Sequence, residues 1–400
     1  MENNDENAFY FEDSPQSPTH STTVTISSSP KQIKNRAELI IKCFKWKHSF
    51  KKALYNEFFD YESKDFNIYE FKASGYRGTL TDHFTHVTYE PDEENTVNDI
   101  LRFDNQKEFI QTNITFTMNK DSNYIIHTNP HCFISTKYIS PDSELLHIQG
   151  GTILKIGKYS LHIKMVKKKD GVHIDKSDKA FYQFNDDSSD NTEEKTCKIC
   201  LRNNTDIPFI SVCKCKGSLK YAHSECLFRW IQNKSEVTYE YKNPFYYVLR
   251  INKFFCEICK APYPFGVYIK DTYFYLLDGL EKFNTFLIST LRYHNEKNEL
   301  NKINNEYILL NLSNYYKNEI VIGRGRDSIL HLNNVSVSRE HCVISYDKEN
   351  DIVKVIDKGS KFGTLIQNIH QIANITLSNS NPNITIQKGN TVYNFNYCLI

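Results

Sequence analysis

Residues 197–259 read CKICLRNNTDIPFISVCKCKGSLKYAHSECLFRWIQNKSEVTYEYKNPFYYVLRINKFFCEIC. Seven cysteines and one histidine fall here in pairs: Cys197 with Cys200, Cys213 with Cys215, His223 with Cys226, and Cys256 with Cys259. Thiols acting only as small buried hydrophobes have no reason to recur in pairs. A C-x2-C turn, in contrast, offers two thiolates to one ion, and closed zinc sites take four Cys or His ligands. Eight ligands therefore make two zinc sites.

Compartment decides between metal and disulfide. The first thirty residues are acidic and then rich in Ser, Thr and Pro, with no basic start and no apolar core of a signal peptide. The most apolar stretch, Tyr273 to Leu291, carries Asp278, Glu281 and Lys282 and is no clean membrane span. The expectation is a soluble intracellular chain, cytoplasmic or nuclear, whose clustered thiols hold zinc. Of the 11 cysteines, Cys43, Cys132, Cys342 and Cys398 stand apart as isolated thiols. Lys plus Arg number 49 against 48 Asp plus Glu, so bulk charge predicts neither nucleic-acid nor membrane binding.

Outward from the cysteines the chain divides into six segments. Residues 1–32 read as a disordered Ser/Thr/Pro tail. Residues 33–166 read as a β-rich domain, with an amphipathic helical pattern over 33–59 and short β runs after residue 66. An acidic polar linker follows over 167–195, the finger over 196–265, and a connector over 266–304. Residues 305–400 alternate in short strands joined by Gly, Asn, Asp and Ser turns, the pattern of an antiparallel sandwich. The fold class expected is multidomain and mainly β, with a small α+β zinc finger between two β-rich neighbours.

The cysteine stretch resembles the RING-CH fingers of ubiquitin ligases. Lys214 alone separates the third and fourth ligands, seven residues precede His223, and Trp230 follows Cys226 by four. The rival, a plant homeodomain finger that reads histone tails, shares the ligand order but usually has a shorter gap before its histidine. The resemblance implies a cross-brace: Cys197, Cys200, His223 and Cys226 on one Zn2+, Cys213, Cys215, Cys256 and Cys259 on the other. It also implies that the cysteines are scaffold and not catalytic, and that a ubiquitin-conjugating enzyme docks on Ile199, Trp230 and Pro262. Leu227, Trp230 and Ile231 share a helical spacing, so Trp230 reads equally as finger core or as docking surface. The loop between Cys226 and Cys256, which contains the run Tyr239–Phe255, is longer than the family's.

The last hundred residues carry Gly323-Arg324, then Ser338-Arg339-Glu340-His341, then GSKFGT at 359–364. In this order they resemble the signature of forkhead-associated (FHA) domains, eleven-stranded sandwiches that bind phosphothreonine. A phosphate asks for a guanidinium, hydroxyls and free backbone N–H groups. The resemblance places Arg324 and Ser338 on the phosphate, Arg339 at the rim with Arg326 near, and Gly323, His341, Gly363 and Thr364 as loop support. It departs from the pattern where Phe362 replaces the asparagine that grips the peptide backbone and Gln367 a second usual asparagine. The run GGTILKIGKYSLHIKMV at 150–166 resembles the closing strands of the same fold, so residues 33–166 read as a degenerate FHA-like sandwich without a phosphate pocket.

The function these resemblances imply is a ubiquitin ligase whose finger recruits a conjugating enzyme and whose sandwich recruits a phosphorylated partner. The alternatives are a non-enzymatic phospho-dependent scaffold and, behind it, a chromatin reader. The Ser-Pro sites Ser14, Ser17 and Ser29, with nearby threonines, make the tail a candidate phosphorylated ligand for the Arg324 pocket.

Overall fold

The computed structural model describes residues 37–46, 66–73, 77–80, 114–178, 195–203, 206–269, 272–293, 306–313, 319–368, 373–388 and 391–399. The Ser/Thr/Pro tail and its candidate phosphorylation sites lie outside the described residues, as do residues 179–194 of the expected linker 167–195.

The N-terminal stretch forms β1 (Ala37–Trp46), β2 (Phe66–Ala73), β3 (Arg77–Leu80), β4 (Ile114–Met118), β5 (Tyr124–His127), β6 (Phe133–Ser135), β7 (Thr152–Ile156), β8 (Tyr159–Lys168) and β9 (Gly171–Ile174). The helical pattern expected over 33–59 is a strand where it is described. Leu39, Ile41 and Cys43 are wholly buried and Lys42 is exposed, a period of two. The β-branched and aromatic content of AELIIKCFKW then favours the extended backbone over a helix.

The cysteine region adds β10 (Phe209–Ile210), β11 (Ala222–His223), α1 (Ser224–Lys234), β12 (Glu236–Asn243), β13 (Tyr246–Asn252), β14 (Gly266–Ile269) and β15 (Thr272–Tyr275). The remainder supplies β16 (Phe286–Tyr293), β17 (Glu306–Asn311), β18 (Glu319–Gly323), β19 (Leu330–His331), β20 (Cys342–Asp347), β21 (Ile352–Asp357), β22 (Thr364–Asn368), β23 (Asn374–Leu377), β24 (Asn383–Lys388) and β25 (Thr391–Leu399).

Two sandwich units of matching strand order emerge. One has the sheet β2-β1-β25-β24-β6 over the sheet β3-β4-β5-β23; the other has β17-β16-β8-β7-β22 over β19-β18-β20-β21. The match extends to the edge: β23 pairs with β5 as His147 bridges Lys354 on β21. In each unit the closing hairpin comes from the other half of the chain. β24–β25 pair with β1 and β6 to complete the N-terminal unit, while β7–β8 pair with β16 and β22 to complete the C-terminal one. Neither stretch 33–166 nor stretch 305–400 closes on itself. The hairpin at 152–168 is a closing hairpin, as its pattern suggests, but it closes the unit that carries Arg324.

β6 and β22 then pair antiparallel, Ser135 opposite Leu365 and Ile134 opposite Ile366, and fuse the two units edge to edge. With β12 and β13 added at one end and β9 on β8, the sheet reaches thirteen strands. Lys155 of β7 is buried at this seam, its ammonium donating to Gln387 of β24 and lying 4.6 Å from the Phe133 ring centroid.

The finger is inserted between β9 and β16, the last strand before it and a central strand of the second unit. Its overlong loop is the hairpin β12–β13, and β13 pairs with β17, Tyr247 opposite Leu309. The expected connector is no spacer either, since β16 runs between β8 and β17. Covering both faces of a sheet produces continuous apolar runs, and FLI at 286–288 shows it. Leu287 enters the sandwich core, while its neighbours Phe286 and Ile288 join Met165, Leu309, Leu227 and Ile231 in a second core under the finger. A buried leucine in such a core contributes about 2–5 kcal/mol against alanine.

Candidate functional site

The two C-x2-C pairs fold into the same turn. In the first, Leu201 N–H donates to the Cys197 carbonyl (2.8 Å) and Cys197 N–H to that of Arg202 (2.9 Å). In the second, Lys260 N–H donates to the Cys256 carbonyl (2.8 Å) and Cys256 N–H to that of Ala261 (2.8 Å). Leu201 (φ 60°) and Lys260 (φ 59°) both take the left-handed conformation that the turn requires.

These turns bring together Cys197, Cys200, His223 and Cys226 at one point, and Cys213, Cys215, Cys256 and Cys259 at another, with all ligand atoms of a set within 4.8 Å of one another. A zinc–sulfur bond of about 2.3 Å gives a tetrahedral edge of about 3.8 Å. The Cys215–Cys256 sulfur separation is 3.8 Å, and His223 Nδ1 lies 3.3 Å from the Cys200 sulfur and 3.8 Å from that of Cys226. The first ligand pair is thus matched with the third and the second with the fourth. Each set can hold one zinc ion.

Within each set one thiol is drawn towards ionisation and another away from it. Burial opposes ionisation of Cys197, but backbone N–H groups of Cys200, His223 and Ile199 outweigh it and draw the thiol down to about 7. At Cys256 burial is likewise outweighed, by the N–H groups of Cys259 and Ile258, and the thiol falls to about 6. Burial, and then the neighbouring thiols, push Cys215 and Cys226 up to about 12. Close-set thiols retain protons until a dication displaces them. Lys198 donates to the Cys213 sulfur at 3.3 Å, linking the first turn to the second site.

Around the sites, α1 turns Leu227 and Ile231 inward at 1% and 2% exposure and leaves Trp230 38% exposed. Trp230 lies at the rim of the buried face, with Lys234 Nζ 5.4 Å from its ring centroid and Lys234 paired to Glu257 at 3.7 Å. Ile199 is half-buried and Pro262 exposed.

At the far end of the second unit, three loops converge. Arg324 N–H donates to the Ser338 carbonyl (3.0 Å) and Gly325 N–H to that of Arg339 (2.9 Å). A Cβ on Gly323 would run into the Arg339 carbonyl, which is why that position is glycine. Lys361 N–H donates to the Ser338 hydroxyl oxygen (3.0 Å), leaving the hydroxyl proton to be donated outward. Arg324, Arg326 and Arg339 are exposed at this end.

His341 is wholly buried beneath them. Its Nδ1 accepts from Ser338 N–H (3.1 Å), so Nε2 carries the proton and donates to the Gly363 carbonyl (3.2 Å). Burial holds its pKa below the ordinary value, against the raising influence of Asp357. Asp357, which sequence reading passed over, organises the third loop. Its carboxylate accepts from Ser360 N–H and hydroxyl and from Thr364 N–H and hydroxyl at 2.7–2.8 Å. The Ser/Thr content of the loop was the available signal. Gln367 is buried and donates to the Pro130 carbonyl (3.1 Å), so it is turned away from any ligand.

Compared with known families, residues 197–259 match the RING-variant domain and residues 320–386 the FHA domain. The chain carries both domains. The chain is similar to the yeast "ERAD-associated E3 ubiquitin-protein ligase DOA10" from Saccharomyces cerevisiae, 43% identical over 53 residues, 13% of this chain and 4% of that protein. It is similar to the "Probable E3 ubiquitin ligase SUD1" of Arabidopsis thaliana, 32% over 90 residues, 22% of this chain and 6% of that protein. It is also similar to the human "E3 ubiquitin-protein ligase MARCHF6", 30% over 77 residues, 19% of this chain and 7% of that protein. The chain thus spans less than a tenth of the length of these relatives. No solved structure matches. Among the described residues no helix is long and apolar enough to cross a membrane.

Proposed function

We propose that this chain is a RING-type ubiquitin ligase that docks a ubiquitin-conjugating enzyme on its RING-variant domain and a phosphothreonine-bearing protein on its FHA domain. The observation that carries the reading is Trp230, an exposed aromatic beside Lys234 on a helix that buries Leu227 and Ile231 in the finger and carries Cys226 of the first ligand set. Ile199, Trp230 and Pro262 receive the conjugating enzyme. Arg324 and Ser338 take the phosphate, with Arg339 at the rim.

No side chain need act as a covalent nucleophile. Zinc supplies rigidity to the finger, and the chain's own contribution is positioning: a thioester held near a lysine gains rate from proximity and orientation. The attachment of the finger through β9, β13 and β16 supports this reading, because an enzyme docked on it is held in a fixed direction from the FHA loops. A flexible tether would lack that advantage.

The test is autoubiquitination of the purified chain across a panel of conjugating enzymes, comparing wild type with Trp230→Ala. Chain formation with at least one enzyme, lost in the variant, supports the reading. Zinc-loaded, folded protein inactive with every enzyme favours a phospho-dependent scaffold.

A further inference from the structure

The loops of the FHA domain are braced by residues that do not belong to it in sequence. β22 begins at Thr364, where the third loop ends. β6 runs antiparallel beside it, so the chain leaving β6 at Ser135 emerges at the same end as the phosphate loops. There Thr136–Tyr138 forms a short turn, capped by Ser135 Oγ accepting from Lys137 N–H (3.4 Å). The turn touches the third loop directly. Thr136 donates its hydroxyl to the Thr364 carbonyl (3.0 Å), and a Cβ built on Gly363 would lie 2.8 Å from Ser135 Oγ and 3.8 Å from Lys137 Cβ. Gly363 has φ +79°, so the contact is reserved for glycine on two counts. Lys137 Nζ sits 5.8 Å from the ring centroid of the exposed Tyr138.

The pocket also needs a substitute grip on its ligand. Phe362 stands where an amide would hold the peptide, and Gln367 faces the interior. Arg324, Arg326, Arg339 and Lys361 are exposed at this end against the exposed carboxylates of Asp327 and Glu340, while the Asp357 carboxylate is taken up within its own loop.

We propose that the Thr136–Tyr138 turn, supplied by the N-terminal unit, forms one wall of the FHA domain's ligand cleft, and that Lys137 recognises an acidic side chain flanking the phosphothreonine. The proposal rests on the phosphopeptide reading of Arg324 and extends it to a residue some two hundred positions away in sequence. Specificity for acidic flanks then arises from the edge-to-edge pairing of the two units, which brings β6 against β22.

Fluorescence anisotropy on the full chain tests it. The probes are labelled phosphothreonine peptides in which one glutamate is walked through the flanking positions, beside a parent with glutamine throughout. Wild type should prefer one glutamate position. Lys137→Gln should lose about three- to fivefold on that peptide, in line with one exposed ion pair, and nothing on the parent; Lys137→Glu should lose more. Arg324→Ala should abolish binding of all peptides. If both Lys137 variants melt like wild type and bind every peptide unchanged while Arg324→Ala binds none, the wall is overturned and the phosphopeptide reading stands. If Arg324→Ala binds as wild type does, or no peptide binds at all, both fall together.

Discussion

Ile134 of β6 stands opposite both Ile366 of β22 and Ile386 of β24, so one residue of the N-terminal half joins a strand of the FHA unit to the hairpin borrowed from it. The two units therefore share their folding free energy. Ile386→Ala, which empties a wholly buried position, should cost about 2–5 kcal/mol. The loss should appear in a single unfolding transition reported equally by probes in either unit. Two separate transitions, only one of them shifted, would show that the units are independent.

The exchange also fixes what can be expressed alone. A fragment of residues 305–400 retains the FHA motifs but lacks β7, β8 and β16, the strands between β22 and β17. It should give a poorly dispersed amide spectrum. A well-dispersed spectrum with the β22 amides protected from exchange would mean that the fragment closes on its own hairpin.

Zinc content should divide cleanly. Wild type should bind two equivalents by elemental analysis, and Cys200→Ser and Cys259→Ser one each, because each substitution breaks a different four-ligand set. Chelation should lower the melting temperature of the whole chain, since the finger shares a core with β8, β16 and β17. Two equivalents retained in either variant would contradict the assignment of ligands.

Much of this was legible in sequence, and the rest failed for identifiable reasons. Zinc ligands are local: a C-x2-C turn has to bring its two thiols to one point wherever the finger sits, so spacing sufficed. The strands were legible as alternation. Their partners were not, because a closing hairpin such as TILKIGKYSLHI alternates identically whichever unit it closes, and only long-range packing decides. Leu227, Trp230 and Ile231 fit one helical face, yet Trp230 and Ile231 differ by about 100° around the axis, enough to leave the tryptophan at the rim. At β1, the apolar pattern over 33–59 suggested a helix, while the residues buried in the strand are Ala37, Leu39, Ile41 and Cys43, a period of two.

Acid should weaken the FHA loops through His341. Burial keeps its imidazole neutral below the ordinary value of 6.5. As pH falls below that value the unfolded chain takes up a proton that the folded chain refuses, so stability declines towards the folded-state pKa and then levels off. Urea unfolding between about pH 7.5 and 5.5 should show this decline, and His341→Asn should flatten it. An unchanged slope in the variant would assign the acid sensitivity to other groups.

Trp230 separates function from stability. With its ring at the rim, Trp230→Ala should change unfolding free energy by about 1 kcal/mol or less, whereas Leu227→Ala, at a fully buried site, should cost about 2–4 kcal/mol. The most direct measurement of the ligase assignment is single-turnover discharge of a conjugating enzyme's ubiquitin thioester to free lysine. The zinc-loaded chain should accelerate discharge with at least one conjugating enzyme, and Trp230→Ala should reduce that acceleration at least about tenfold, the loss of one interfacial aromatic, while keeping both zinc ions and the wild-type melting temperature. Acceleration that persists undiminished in Trp230→Ala, or none with any conjugating enzyme, would contradict it.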